Sequence, residues 1–421
     1  MEAALAWFQR WRSLVVIVLV TVPVACLQPW KNGPPIRSDG EGYHLWTRAF
    51  LERDLSFRRH AGESGLFLSD RDRDIYQNKY PPGVALLRFP VMTFLVDRRP
   101  GVSAISKAEH WANVVFSAAA LIAVCYLSLR TCQLLALDAS SNHAALLAGV
   151  FGTGLFHYGT YDSCFSHVYS ALAIAFLLWL GVRTIVRRNN HLPALLTGLV
   201  CLLLVLFRNT NIIVLAMMTL AYGYGRHKQG ILSFKDGCVD LGILCLGAGS
   251  AGCLQLLYNY YARGRFALSS YGEETFFWNH PQQLSVLFSY DRGLFNYYPV
   301  VALVLICGWA VRRLRDFAAW FSLLLLSYVV LYGFWSSWQL GCGFGHRGFV
   351  ELMPLGMVLF AAALSRLSPR WRRCAGVTAL LCMAFTLAFM VRYWRGSFPM
   401  SGTTAGVYWH KSLLGLFLRH L

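Results

Sequence analysis

The sequence predicts an all-α polytopic membrane protein with about 11 transmembrane helices, in a range of roughly 10–13. Three observations predict it. The chain has 421 residues, 56% of them hydrophobic and only 14% charged, where soluble domains carry about 25% charged residues. The mean hydropathy is +0.46. Apolar runs of spanning length recur along the chain, separated by short stretches rich in arginine. These features exclude a soluble enzyme, a disordered tail and a fibrous protein. The net charge of +18 would suggest nucleic acid in a soluble chain; here it reflects loop arginines that set topology.

A spanning helix needs about 20 mostly apolar residues. That requirement places spans at 13–30, 111–135, 144–159, 167–186, 192–207, 211–225, 237–259, 294–311, 317–334, 348–365 and 374–391, of which the third and sixth are short. Arg10 and Arg12 precede the first run, and no small-residue cleavage site follows it, so it reads as a retained helix. Gly83–Val96 is apolar but too short to span. It follows Pro81-Pro82 and reads as an interfacial or re-entrant helix. Within the tail 392–421, residues 407–421 read as an amphipathic surface helix.

Arginine and lysine fix the orientation. Arg183, Arg187 and Arg188, then Arg226, Lys228 and Lys235, then Arg312, Arg313 and Arg315, then Arg366, Arg370, Arg372 and Arg373 fall in loops on one side. The positive-inside rule makes that side the cytoplasm. The long segment 31–110 is then outside, as are a second loop at 260–293 and, for an odd count, the C-terminal tail. The 31–110 loop carries Asp39, Glu41, Glu52, Asp54, Glu63, Asp70, Asp72, Asp74, Asp97 and Glu109, half of the chain's 20 acids. With no internal repeat, low-complexity tract or separate soluble segment, residues 1–421 read as a single integral membrane domain. Most of the 12 cysteines fall in apolar runs without zinc spacing and read as small buried hydrophobes. Cys164 and Cys342 fall in loops on the same outer side, and the sequence neither requires nor excludes a bridge between them.

Three stretches could carry chemistry. In Ser38-Asp39-Gly40-Glu41-Gly42-Tyr43 two carboxylates lie two residues apart, just after the first helix. A carboxylate there can take a proton from an attacking hydroxyl or amine; the plainer reading is a turn and helix cap. In Asn78-Lys79-Tyr80-Pro81-Pro82-Gly83 a lysine precedes a rigid turn at headgroup depth. It could meet a lipid phosphate as a point charge, or simply snorkel. In Trp335 to Arg347 spaced tryptophans, including Trp338, three glycines and His346-Arg347 lie where an outer loop enters the tenth helix. They suggest close backbone approach and an anion contact. A structural ion pair of Arg347 with Glu351, four residues on, is the plainer alternative. Asp162 with Ser166-His167, Arg208 to Asn211, Asn259 to Tyr261 and Phe288 to Leu294, which includes Arg292, sit at outer helix ends. Clustering of edge charges on one side is more informative than any one of them. The sequence carries no Walker loop, no GxGxxG fingerprint and no metal-ligand spacing.

These stretches resemble the lipid-linked glycosyltransferases of the GT-C fold, and more narrowly bacterial relatives of the protein mannosyltransferases and the aminoarabinose lipid A transferases. Ser38 to Tyr43 match the acidic position after the first helix, and Lys79 to Gly83 match a Tyr-Pro-Pro-Gly-like stretch. Arg208 to Asn211 resemble an Arg-Pro-Thr-Asn-like stretch, with Asn209 in place of proline. Ser289 to Leu294 are similar to a Ser-Pro-Arg-Arg-Gly-Leu-like stretch, and Trp335 to Arg347 match a late Trp-x-x-Trp and Gly-x-x-Phe-Gly-x-Arg pattern. The resemblance covers about 31 to 365 and departs in one respect: the acidic pair is Asp-Gly-Glu rather than adjacent, which leaves open whether Asp39 or Glu41 is the base.

The resemblance implies transfer of a sugar from a polyprenyl-phosphate donor to a glycan, lipid or protein acceptor at the outer face of a bacterial inner membrane, with inversion. It implies Asp39 or Glu41 as catalytic groups, with Lys79, Tyr80, Asp162, His167, Arg208, Arg292, Trp338, His346 and Arg347 toward the substrates. Some members of the fold use a divalent ion, for which Asp39, Glu41 and Asp162 would be the ligands; the sequence leaves metal use open. Partners are then lipid-linked sugar and membrane lipids, not nucleic acid. A polymerase or ligase of lipid-linked glycans shares these features. A flippase or transporter would show midplane charges and broken helices in repeated positions, and a scaffold would need none of the motifs.

Overall fold

The computed structural model describes residues 2–409 apart from 71, 98–103, 190, 268–269, 272–273, 398 and 400, with the side chains of 2–8 and 32 also set aside. The expected tail helix at 407–421 lies, from 410 onward, outside the described residues. In chain order the helices are α1 (Glu2–Leu27), α2 (Asp39–Glu52), α3 (Gly83–Met92), α4 (Lys107–Leu134), α5 (Ala139–Phe151), α6 (Leu155–Thr160), α7 (His167–Val186) and α8 (Ala194–Phe207). They continue as α9 (Asn211–Lys228), α10 (Phe234–Arg263), α11 (Gln283–Phe288), α12 (Leu294–Tyr297), α13 (Val300–Ala310), α14 (Arg315–Phe334), α15 (Met353–Leu364) and α16 (Pro369–Trp394). Two short strands, β1 (Leu66–Asp70) and β2 (Ile75–Asn78), pair antiparallel between α2 and α3.

Every expected span falls on helix, and two of them are broken. The expected 144–159 span is α5 and α6, parted near Gly152. The expected 294–311 span is α12 and α13, parted at Pro299, whose missing N–H cannot join the ladder. Among the described residues seven helices are long and apolar enough to cross a membrane; Gly83–Met92, Ala194–Phe207 and Val300–Ala310 are shorter apolar helices. Gly83–Val96 is helical only to Met92. The chain is a multi-pass helical membrane protein.

The chain divides into two compact units, each built from separate stretches. One holds Val22–Leu121 and Tyr158–Glu273, and is called here the hairpin unit; the other holds Met1–Thr21, Ile122–His157 and Glu274–Leu421, and is called the loop unit. In the hairpin unit the segment after α1 folds onto its neighbours through an aromatic core. Trp46 meets Phe57 edge-on at 5.1 Å and Tyr258 at 4.7 Å, with Leu45, Ala49 and Ala85 around them. Burying such rings is the main stabilising term for a segment this polar. In the loop unit every residue of α15 is buried. It packs on α5 and α13, so this helix is apolar all round because it faces protein on every side.

Candidate active site

The first turn of α2 carries Asp39 and Glu41, where the positive end of the helix dipole favours carboxylates. Two other stretches of the hairpin unit close on this turn. Asn78 donates its amide to the Gly42 carbonyl at 2.7 Å, and the Trp46 indole donates to the Tyr80 carbonyl at 2.7 Å. The Tyr43 and Tyr80 rings meet at 4.7 Å. A Cβ on Gly42 would sit 2.2 Å from the Tyr80 ring, so only glycine lets these segments approach. The Cys164 thiol donates to the Gly40 carbonyl at 3.1 Å, and the hydroxyls of Tyr43 and Ser166 are 2.9 Å apart. A Cβ on Gly83 would lie 2.4 Å from the Leu206 carbonyl carbon, which seats the Pro-Pro-Gly turn against the end of α8, two residues before Arg208.

The candidate side chains are held within this frame. The Lys79 ammonium lies over the rings of Tyr80 at 5.2 Å and Tyr271 at 5.8 Å, a cation–π setting that orients a lysine. Arg208 is 2.9 Å from His167 Nδ1. Asp162 is ion-paired with Arg37 at 3.2 Å, and Arg37 in turn lies 4.5 Å over the Tyr161 ring. Burial, and next the neighbouring carboxylate of Glu63, push Glu41 above the usual carboxylate range, against a lowering backbone bond from Ser64. Burial likewise raises the Tyr43 phenol, whose hydroxyl also feels Tyr271, Arg208 and Asp39. Tyr43 thus has its ring against Tyr80 and its hydroxyl against Ser166, within the fields of Arg208 and Asp39.

Beneath the turn lies a layer that the sequence reading missed. Glu109, fully buried, accepts from His44 at 2.8 Å and from Arg48 at 3.1 Å. Arg88, equally buried, donates to the Asn113 side chain and reaches Cys164 Sγ at 3.7 Å. A signal was available: Arg88 interrupts an apolar helix, and His44 and Arg48 stand one helical turn apart on α2.

The loop unit holds the other four candidates. Arg292 Nε donates to the Gly343 carbonyl at 3.2 Å, and Arg347 Nη1 is 3.5 Å from the Cys342 carbonyl. Tyr298 donates to the Phe344 carbonyl at 2.7 Å. His346 is fully buried between the rings of Tyr332 at 5.2 Å and Phe349 at 4.9 Å. Trp338 is half-buried in the turn after α14. Arg347–Leu352 winds as a 3-10 helix, in which positions three apart eclipse, and Glu351 accepts from the Tyr328 hydroxyl at 3.4 Å. Cys164 is buried and Cys342 exposed, and both are free thiols.

Seven of the eleven sequence-derived candidates thus lie in the hairpin unit and four in the loop unit. Among the described residues no three His, Cys, Asp or Glu side chains gather as a metal site, Asp39, Glu41 and Asp162 included.

No protein-family model matches the sequence, and no curated protein matches it. Solved structures do. The chain aligns over 99% of its length with 76% of the chain in the apo crystal structure of ArnT from Cupriavidus metallidurans, at a TM-score of 0.50 and 12% identity. Over 94% of its length it aligns with 57% of the apo Archaeoglobus fulgidus oligosaccharyltransferase, at a TM-score of 0.49 and 11% identity. The same oligosaccharyltransferase tethered to an acceptor peptide gives 0.45 and 11%. The chain has the GT-C fold.

Proposed function

We propose that this protein is a membrane glycosyltransferase that moves a sugar from a polyprenyl-phosphate donor to an acceptor at the outer face of the membrane. The observation that carries the reading is the meeting, around Tyr43, of an acidic helix start with Lys79-Tyr80 and Arg208-His167, in a chain of GT-C fold. An aromatic-held lysine and an imidazole-held arginine are suited to a phosphate, and a carboxylate in a first turn is suited to removing a proton.

In the proposed step Asp39 takes the proton of the acceptor nucleophile. The nucleophile forms a bond to the anomeric carbon as the bond from that carbon to the donor's phosphate oxygen breaks. A single in-line displacement inverts the carbon. The candidate cations for a substrate phosphate are, within the hairpin unit, Lys79 and Arg208, and, within the loop unit taken by itself, Arg292 and Arg347. Glu41, raised above the usual range, is the rival base, and basicity raised toward neutrality suits that task.

Asp39→Asn and Glu41→Gln separate the two. In membranes supplied with a labelled polyprenyl-phosphate sugar, loss of the base lowers kcat by about 10²–10⁴-fold. Undiminished transfer by normally expressed Asp39→Asn sinks Asp39 as base. Retention of the donor's anomeric configuration in the product, read by NMR, sinks single displacement.

A further inference from the structure

The loop unit contains a strained arginine that the C-terminal segment holds in place. Arg292 has φ +75°, a conformation that side chains other than glycine adopt only when their surroundings enforce it. It is 4% exposed. The residue before it supplies the enforcement. The carboxylate of Asp291 accepts from the backbone N–H of Gly402 at 3.2 Å and of Thr403 at 3.4 Å, while its own N–H donates to the Ser289 hydroxyl at 3.0 Å. Farther along the same segment, Tyr408 donates to the Asn296 carbonyl at 2.6 Å and packs against Tyr290 at 5.1 Å, Tyr297 at 5.9 Å and Phe389 at 4.8 Å. Tyr297 closes the turn from within by donating to the Tyr290 carbonyl at 3.0 Å. The turn 290–293 is therefore gripped from two sides. Its product is an arginine aimed at the Gly343 carbonyl, in the loop that also carries Arg347.

We propose that residues 402–408 act as a strap that docks on Asp291 and thereby sets the Arg292 guanidinium for the donor's phosphate, which makes Asp291 a positioning residue. The proposal rests on the reading of Arg292 as a phosphate cation. A backbone N–H pair is a fitting clamp for a carboxylate, since two charge-assisted bonds fix its plane as well as its position.

The test uses the full chain in nanodiscs, with a polyprenyl-phosphate sugar as donor. Asp291→Ala is expected to raise the donor KM about tenfold with kcat little changed, and Tyr408→Phe about threefold, as loss of positioning before the transition state requires. Hydrogen exchange at 289–294 and 341–347 rises in both variants. The Asp291→Ala effect disappears in an Arg292→Ala background, because coupled residues are not additive. Asp291→Asn, with one acceptor oxygen left, falls between Ala and the parent. Unchanged exchange with unchanged KM overturns the strap, and so does a full Asp291→Ala effect in the Arg292→Ala background. Faster exchange in Asp291→Ala, with a donor KM that Arg292→Ala itself leaves alone, overturns the link to the donor and traces the failure to the reading of Arg292. Should Asp291→Ala not fold, Tyr408→Phe and Asp291→Asn carry the same comparison.

Discussion

Buried guanidinium groups meet different partners in the two units. In the hairpin unit two of them meet carboxylates, Arg48 with Glu109 at 3.1 Å and Arg226 with Asp240 at 2.6 Å, while Arg88 meets the Asn113 side chain. The candidate cations there, Lys79 and Arg208, lie against rings and an imidazole. In the loop unit the candidate guanidinium groups lie against backbone. Arg292 and Arg347 reach backbone carbonyls of the 341–347 loop, and the Arg292–Asp291 pair is long at 3.9 Å. A carbonyl contact orients a guanidinium. The difference teaches how each unit can be probed: substitutions at Lys79 should remove charge alone, whereas those at Arg292 or Arg347 remove charge and loop shape together.

The largest expected effect breaks the carboxylate side of this comparison. Glu109→Ala leaves Arg48 and His44 buried without their shared partner and should cost about 3–5 kcal/mol, read as a lower melting temperature in detergent. An unchanged melt would mean that the Glu109 cluster holds nothing together. Next in size, Arg347→Lys keeps the charge but loses the planar fork, and should raise the donor KM by about 10–100-fold, the worth of a charge-assisted bond. Lys79→Met should raise the same KM by a similar factor with no change in melting. Equal melting losses in both variants would erase the contrast between the units. The smallest effect is in pH. Burial lowers His44 from 6.5 to about 4, outweighing its bond to Glu109. The unfolded chain therefore takes up this proton first. His44 contributes stability that is complete above pH 6.5 and lost as pH falls toward 4. A melting profile from pH 7 to 4 should be flatter for His44→Gln than for the parent.

Much of this fold is legible from hydropathy, because a membrane demands long apolar helices. The helices on which the expected spans fall were placed by it, though seven of them are long and apolar enough to cross among the described residues. The breaks at Gly152 and Pro299 were visible as residues but not as breaks, since an apolar run hides them. The β1–β2 hairpin was not legible: Leu66–Asp70 and Ile75–Asn78 are short, polar at alternate ends and without a clear two-residue burial pattern. At the site, glycine was the most informative residue type. Gly42 and Gly83 stand where segments distant in sequence touch, and the motifs containing them were found. Buried charge was the least informative. Arg88 was passed over, because only tertiary packing brings Asn113 and Cys164 to it.

The fully buried helix α15 has a consequence for biogenesis. Its residues Ala361, Ala362 and Ala363 are small enough for close helix packing, and Met357 lies against Gly149 of α5. A ribosome delivers α5, α13 and α14 before α15, and α16 after it. When α15 enters the bilayer it is surrounded by lipid that it will not keep. It must then exchange lipid for protein by packing alone, since lipid tails are as apolar as its own side chains. Mutations that enlarge Ala361 to Ala363 should therefore surface first as failures of assembly in the cell, caught by quality control, before any purified protein exists to be assayed.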